Sequence, residues 1–262
     1  MSVTRVGIVA ALPSESRTLC RQAVQVGERR DIGGYALLAV SGVGERRAEH
    51  AAQALVNAGV GGLVSWGCAA GLSPELPVGA LCLPEFVVTV EGHRWPTDSA
   101  WRRSVTAAAG AHVVFNGALA HASQVLASSA AKRELGAQAS AVVADMESAA
   151  IARVAHQHGL PLLVVRSVVD PLGLTLPAVI ADHIDESGRV PLAPLLQGLL
   201  RRPSDLLTLL KLASGFRASL ASLRAVATCA GDNLLLSQVL SRPQSEGRSV
   251  RPSHFTPESA LD

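Results

Sequence analysis

Four places in this sequence combine residue types that could move protons or hold a polar ligand, and three of them carry carboxylates. Glu15 closes the segment Ala11-Leu12-Pro13-Ser14-Glu15, directly after the first apolar run. Gly67-Cys68-Ala69-Ala70-Gly71 follows another such run, and its small residues let backbone amides approach a ligand closely. Asp145-Met146-Glu147-Ser148 stands at the start of a helical pattern, and Arg166-Ser167-Val168-Val169-Asp170-Pro171 ends the most apolar stretch. Carboxylates converging from separate segments suit acid–base work, in which one group protonates a leaving group and another holds or activates the nucleophile.

Each member also has a purely structural reading. Glu15 and Glu147 are residues that favour a helix N-terminus through its dipole, and Asp170 before Pro171 is a common turn start. Arg166 is harder to dismiss: a guanidinium inside an apolar strand needs a partner, and Glu147 and Asp170 are the obvious candidates. Ser41-Gly42-Val43-Gly44 invites a dinucleotide-loop reading but fails it. The sixth position of the fingerprint is Arg47, and the unit is not the first β–α turn. GxSxG and a P-loop lysine are both absent, so no cofactor is expected.

The elements that must position these residues follow from periodicity. Short apolar runs alternate with Ala-rich helical patterns, the signature of an α/β sheet with helices on its faces. Strands are expected over Val6 to Leu12, Tyr35 to Val40, Gly61 to Trp66, Ala80 to Val90, His112 to Phe115, Ala141 to Ala144 and Leu162 to Val169. Helices are expected from Pro13 through Leu19, from Glu45 to Asn57 and from Met146 to His158. All four chemical segments then fall in loops after strand C-termini, where open α/β sheets bind ligands. After about Pro191 the composition shifts. Leu195, Leu196, Leu199 and Leu200 form a helical stripe that continues through Leu206 to Leu212 and Phe216 to Ala227, with Arg201, Arg202, Lys211, Arg217 and Arg224 between. These divisions give a catalytic domain over 1–190, a helical extension over 191–240 and a disordered tail over 241–262.

Composition narrows the class. Hydrophobic residues make up 48% and aromatics only 3%, so Ala, Val and Leu must fill the core. A net charge of +2 argues against nucleic acid as partner, since a phosphate-tracking surface leaves a strong basic excess. Cys20, Cys68, Cys82 and Cys229 are scattered, which supports neither a disulfide framework nor a metal site and fits reduced thiols in a cytosol. The N-terminal apolar run reads as a strand and not as a signal segment. No stretch reaches the roughly 18 uncharged apolar residues needed to span a bilayer.

The segments Gly7-Ile-Val-Ala-Ala-Leu-Pro-Ser-Glu15, Ser41-Gly-Val-Gly44, Gly67-Cys-Ala-Ala-Gly-Leu72, Val143-Ala-Asp-Met-Glu147 and Val164-Val-Arg-Ser-Val-Val-Asp170, in this order, resemble the purine nucleoside phosphorylase and nucleosidase superfamily. Within it they are most similar to the 5'-methylthioadenosine/S-adenosylhomocysteine nucleosidases. The resemblance covers Arg5 to Pro171. It implies a three-layer α/β/α fold around a central mixed sheet, here followed by the C-terminal helical extension, and a homodimer. It also implies roles. Asp170 would protonate N7 of adenine, and Glu15 would orient or activate the attacking water. Glu147 would hold the ribose hydroxyls, Met146 would pack on sugar and base, and Ala69 and Ala70 would flank the base. Gln124 and Val125 fall where the family's base pocket lies, and Arg166 belongs to the same substrate-binding set.

Two positions depart from the family pattern. Cys68 stands where a serine helps hold water, and Val169 where a serine precedes the catalytic aspartate. The chain beyond Pro171 is instead similar to hopanoid-associated phosphorylases, which are thought to release adenine from adenosylhopane. That resemblance implies a lipid-linked adenosine as substrate, while Glu15 favours water and so hydrolysis. The amphipathic Leu/Arg pattern suits helices that cover a lipid-like substrate or lie at the inner face of the membrane. Core packing or a dimer interface explains those helices equally well. Arg46 and Arg47 keep phosphorolysis open, and a non-catalytic nucleoside- or lipid-binding protein is the alternative of another class. Removing the residues after Pro203 is expected to spare cleavage of small adenine nucleosides but impair that of lipid-linked ones.

Overall fold

The computed structural model describes residues 4–110, 114–177 and 205–231, together with positions 180, 185, 191, 202, 234 and 236. The expected stripe from Leu195 to Leu200 and the tail from 241 lie outside the described residues. The domain limits at 190 and 240 fall there too.

Four parallel strands form the centre. β1 (Val6–Ala10) lies between β3 (Ala36–Val40) and β4 (Gly62–Gly71), and β11 (Leu162–Asp170) lies on the other side of β4. β2 (Arg29–Ile32) pairs antiparallel outside β3. The last residues of β4 also pair antiparallel with β10 (Val143–Asp145), beyond which come β9 (Ala118–His121), β6 (Phe86–Val88) and β7 (Arg94–Pro96). Two short strands, β5 (Leu81–Cys82) and β8 (Val114–Phe115), continue outward from β11. The sheet is therefore mixed and branches at β4.

Helices cover both faces: α2 (Glu45–Asn57) and α5 (Ser148–Gln157) on one, α3 (Ser99–Ala108) and α6 (Asp205–Ala230) on the other. Among the described residues there are also the one-turn α1 (Pro13–Ser16) and the eleven-residue α4 (Ser129–Ala139). Strand alternation sorts the core. Ile8 and Ala10 pack with Trp66, Trp101 and Leu223, whereas Val9 packs with Leu55 and Ile151. Gly7 shares the face of Val9, and a Cβ there would sit 2.9 Å from Val60 Cγ2 and 3.2 Å from Leu55 Cβ. The close seating of α2 on β1 therefore depends on a glycine. Ala, Val and Leu fill the core as expected, and the two fully buried tryptophans each find an acceptor, Trp66 at Thr18 Oγ1 (2.9 Å) and Trp101 at Leu234 O (2.6 Å).

Several boundaries differ from the sequence expectation. The run from Ala80 to Val90 breaks into β5 and β6 at Leu83-Pro84-Glu85, because Pro84 has no N–H for a ladder. The first helix stops at Ser16. Gly67–Gly71 is not a loop: it is the end of the ten-residue strand β4.

α6 is built onto β11. Its buried positions, Gly215, Ser219, Leu223, Val226 and Ala230, recur at helical spacing and form one stripe. Gly215 meets the Val169 carbonyl so closely that a Cβ has no room, and Ser219 Oγ donates to Val168 O at 2.6 Å. By length and composition α6 could cross a membrane, the one such helix among the described residues, yet this stripe is packed against the sheet. This packing counts against the expectation that truncation after Pro203 spares small nucleosides.

Candidate active site

The C-terminal ends of β1, β4, β10 and β11 bring the carboxylates to one edge of the sheet. Glu15 is 2% exposed, and its carboxylate is held by three backbone donors. Oε2 accepts from Ala11 N (3.0 Å) and Leu12 N (2.9 Å), and Oε1 accepts from Cys68 N across the sheet at 2.8 Å. The first pair caps α1, as the structural reading required. The third does something no cap needs: it ties α1 to the end of β4.

Arg166 lies behind this contact. A Cβ on Gly67 would stand 2.5 Å from both Arg166 Nη1 and Glu15 Oε1, so only glycine lets the two groups meet the strand here. Arg166 is 1% exposed, and its ion pair is with Asp145 Oδ2 at 2.6 Å, not with Glu147 or Asp170 as the sequence suggested. Nη2 also donates to Ser65 Oγ (2.7 Å) and Ser148 Oγ (3.1 Å), and Ser148 Oγ donates to Asp145 Oδ2. The periodicity of an apolar strand shows that a buried arginine needs a partner but not which acid reaches it. These bonds hold the guanidinium between β4, the end of β10 and the start of α5.

Asp145 also accepts from Glu147 N (3.1 Å) and Ser148 N (2.9 Å), so Asp145, not Glu147, caps the start of α5. That frees the Glu147 side chain, which reaches Gly44 N at 2.8 Å and so joins the Ser41–Gly44 turn to the site. Gly44 has φ +106°, a backbone conformation that glycine supplies. Burial and the neighbouring Asp145 charge push the Glu147 carboxyl up to about 7, against the pull of Arg166 and the Gly44 N–H. Burial likewise raises Glu15, opposed by Arg166 and the three N–H donors.

Asp170 is the last residue of β11 and not a turn start. A bulge places Val168 opposite Ala69 but Asp170 opposite Ala70, so Val169 is the extra residue and Asp170 is turned beside the end of β4. Its carboxylate pairs with Lys132 Nζ at 2.8 Å. Burial pushes Asp170 up to about 6, with the Lys132 ammonium holding it down. Lys132 was not singled out in the sequence. The signal was present: Lys132, Leu135, Gly136 and Ala139 share one helical face, and Leu135 and Ala139 pack on a core cluster.

The remaining residues divide. Cys68 is half-buried, its thiol raised well above the usual range by burial and by Glu15, so it stands neutral beside the carboxylate. Ala70 is half-buried opposite Asp170, whereas the Ala69 side chain points into the core, so the two do not present a pair of methyl groups to one ligand. Met146 packs with Leu72, Val88, Ala120 and Ala144. Gln124 (exposed) and Val125 (half-buried) lie in the β9–α4 connector. Ala122 N of that connector donates to Asp145 O (2.8 Å), and its Ala127 O accepts from Leu176 N (2.7 Å), so it borders both the Glu147 and the Asp170 segments.

The family model of the Phosphorylase superfamily matches residues 5–189, which include every residue of this site. The chain belongs to that superfamily. Among solved structures, the methylthioadenosine/S-adenosylhomocysteine nucleosidase of Neisseria meningitidis is similar at 20% identity, over 87% of this chain and 99% of that one, with a TM-score of 0.66. The native futalosine hydrolase of Helicobacter pylori is similar at 18% identity, over 86% and 98%, with a TM-score of 0.61. The S. pneumoniae methylthioadenosine/S-adenosylhomocysteine nucleosidase, at 15% identity over 87% and 100%, gives 0.62. No curated protein matches. At such identities the likeness shows the superfamily's fold, and the chemistry rests on the site itself.

Proposed function

We propose that the protein hydrolyses the N-glycosidic bond of an adenine nucleoside. The observation that carries this reading is one buried acid near neutral pKa, Asp170, on the same sheet edge as a carboxylate held by backbone donors, Glu15. In the proposed reaction Asp170 donates its proton to N7 as the bond from C1' to N9 breaks. Water adds to C1', and its proton passes to Glu15. An ionised carboxylate offers about four acceptor sites. Three N–H groups and the Cys68 thiol surround Glu15, so water reaches this carboxylate in competition with the thiol. Glu147 accepts from the ribose hydroxyls, and the cationic character of the sugar in the transition state suits the surrounding carboxylates. The activities named for the nucleosidase and futalosine hydrolase relatives are of this reaction type.

Phosphorolysis is the second reading. It is favoured by a hollow of about 420 Å³ next to Ser41, in which Arg29, Arg47 and His50 offer positive groups and Glu28 a negative one among apolar neighbours. Adenine release from methylthioadenosine, measured with and without phosphate, separates the two. Full activity without phosphate is expected, and strict phosphate dependence would overturn the hydrolase reading.

The two shifted carboxyls set the pH dependence. Asp170 must be protonated, so activity falls as pH rises through about 6. Glu147 must be ionised to accept from ribose, so activity falls as pH drops through about 7. The required forms coexist only in a minority of molecules, and kcat/KM should trace a narrow bell centred midway between the two values. A broad plateau through neutral pH would contradict these roles.

For the finer substrate we favour a lipid-linked adenosine such as adenosylhopane, used in hopanoid biosynthesis. Support comes from Leu206, Leu207 and Leu210, which project exposed from α6. A cytoplasmic homodimer touching the membrane through that helix fits the same reading. Parallel assays with methylthioadenosine, adenosylhomocysteine and a lipid-linked adenosine test it, and a preference for the small nucleosides would count against the lipid.

A further inference from the structure

We propose that Lys132 is a positioning residue that sets both the orientation and the proton affinity of Asp170, an inference that rests on Asp170 being the proton donor. Lys132 is 0% exposed, the one fully buried residue of α4. Its ammonium has three protons, and the structure offers it Asp170 Oδ2 at 2.8 Å, Pro171 O at 3.0 Å and Leu174 O at 2.9 Å, with Asp170 O at 3.4 Å. The set is saturated by one carboxylate oxygen and the turn that follows it. One oxygen of Asp170 is thereby fixed toward α4, and the other is the oxygen left to face the base.

A buried lysine with that partner set is costly unless both charges are compensated, and packing alone would be served by the leucine or alanine found on the rest of this helix face. The other groups around Asp170 do not duplicate the lysine. β4 presents the neutral Cys68 thiol. Arg166, four residues back on β11, is engaged by Asp145, and Cys82 of β5 lies opposite Arg166. α6 meets the strand at Val168 and Val169 through Ser219 and Gly215, which carry no charge. Among the described residues, Lys132 is the cation paired with Asp170, and it opposes the upward push of burial on that carboxyl.

Turnover across pH in wild type, Lys132→Met, Lys132→Gln and Asp170→Asn tests this, with methylthioadenosine as substrate and circular dichroism to check folding. Lys132→Met should lower kcat by about 10²-fold, the scale of a loss of alignment at a reacting group, with KM little changed. The Asp170 limb of its pH profile should move up by about one unit or more, carrying the optimum up by half as much, because an acid without its cationic partner keeps its proton to higher pH. Lys132→Gln retains donors for the Pro171 and Leu174 carbonyls without the charge, and should show the same upward move even if the methionine variant fails to fold. An unchanged optimum in the glutamine variant, or wild-type kcat in the methionine variant, would overturn the proposal. Retained activity in Asp170→Asn would instead sink the reading of the site. The Lys132 pairing would then still be tested by ¹³C titration of the Asp170 carboxyl in wild type and Lys132→Gln, where an unshifted titration overturns it.

Discussion

Asp170→Asn is expected to lower kcat for adenine release by roughly two to four orders of magnitude, the usual range for deleting a general acid. The fold should remain. Asparagine matches the volume of the aspartate, and its carbonyl oxygen still accepts from the Lys132 ammonium, which also keeps Pro171 O and Leu174 O. What is lost is a proton that can be donated near neutral pH, a capacity that burial confers by pushing this carboxyl up to about 6. The measurement is single-turnover adenine release alongside a thermal melt. A folded variant within tenfold of wild type would remove Asp170 from the chemistry. Adenine departure would then have to be assisted from the Glu147 side of the site.

The central architecture was legible because its strands are apolar on both faces. β1, β3, β4 and β11 read as continuous hydrophobic runs, the pattern of a parallel sheet covered by helices. α2 was delimited by a Gly44 start and an Ala-rich interior. The outer strands β2, β7 and β9 and the helices α3 and α4 were not among the expected elements. The strands and α4 are short or half-exposed, so their periodicity is weak and their form depends on neighbours far away in sequence. α3, by contrast, is as amphipathic as α2 and carries an Asp98 cap, a signal that was present and passed over.

The site divided along the same line. Glu15, Glu147 and Asp170 were visible as carboxylates after strand ends, since local sequence places them there. Their partners were not. Arg166 meets Asp145 and not the acids first considered, because the tight start of α5 sends Glu147 outward to Gly44 and leaves Asp145 facing in. Lys132 reaches Asp170 over 38 residues. Such pairings depend on register and on a bulge at Val169, and one sequence fixes neither.

Removing the chain after Pro203 is expected to abolish turnover of every nucleoside, small or lipid-linked, and to leave little folded protein. α6 inserts Leu223, Val226 and Ala230 into the core shared with Trp66, Trp101 and Leu163, and four residues beyond its end Leu234 O accepts from Trp101 Nε1. Each large apolar side chain buried in full contributes about 1.5–3 kcal/mol, against a net stability of about 5–15 kcal/mol for a domain. Loss of this stripe, of the sheet face it covers and of the Ser219 bond to Val168 O therefore removes a large part of that margin. A chain that ended there yet cleaved methylthioadenosine at the wild-type rate would show that α6 is dispensable. Point changes then separate the two duties of the helix. Gly215→Val presses on the Val169 carbonyl, one residue before Asp170, and should impair both substrate classes. Replacing the exposed Leu206, Leu207 and Leu210 with serine leaves the buried stripe intact and should spare methylthioadenosine, so a selective loss of lipid-linked turnover in that variant would assign the outer face of α6 to the lipid.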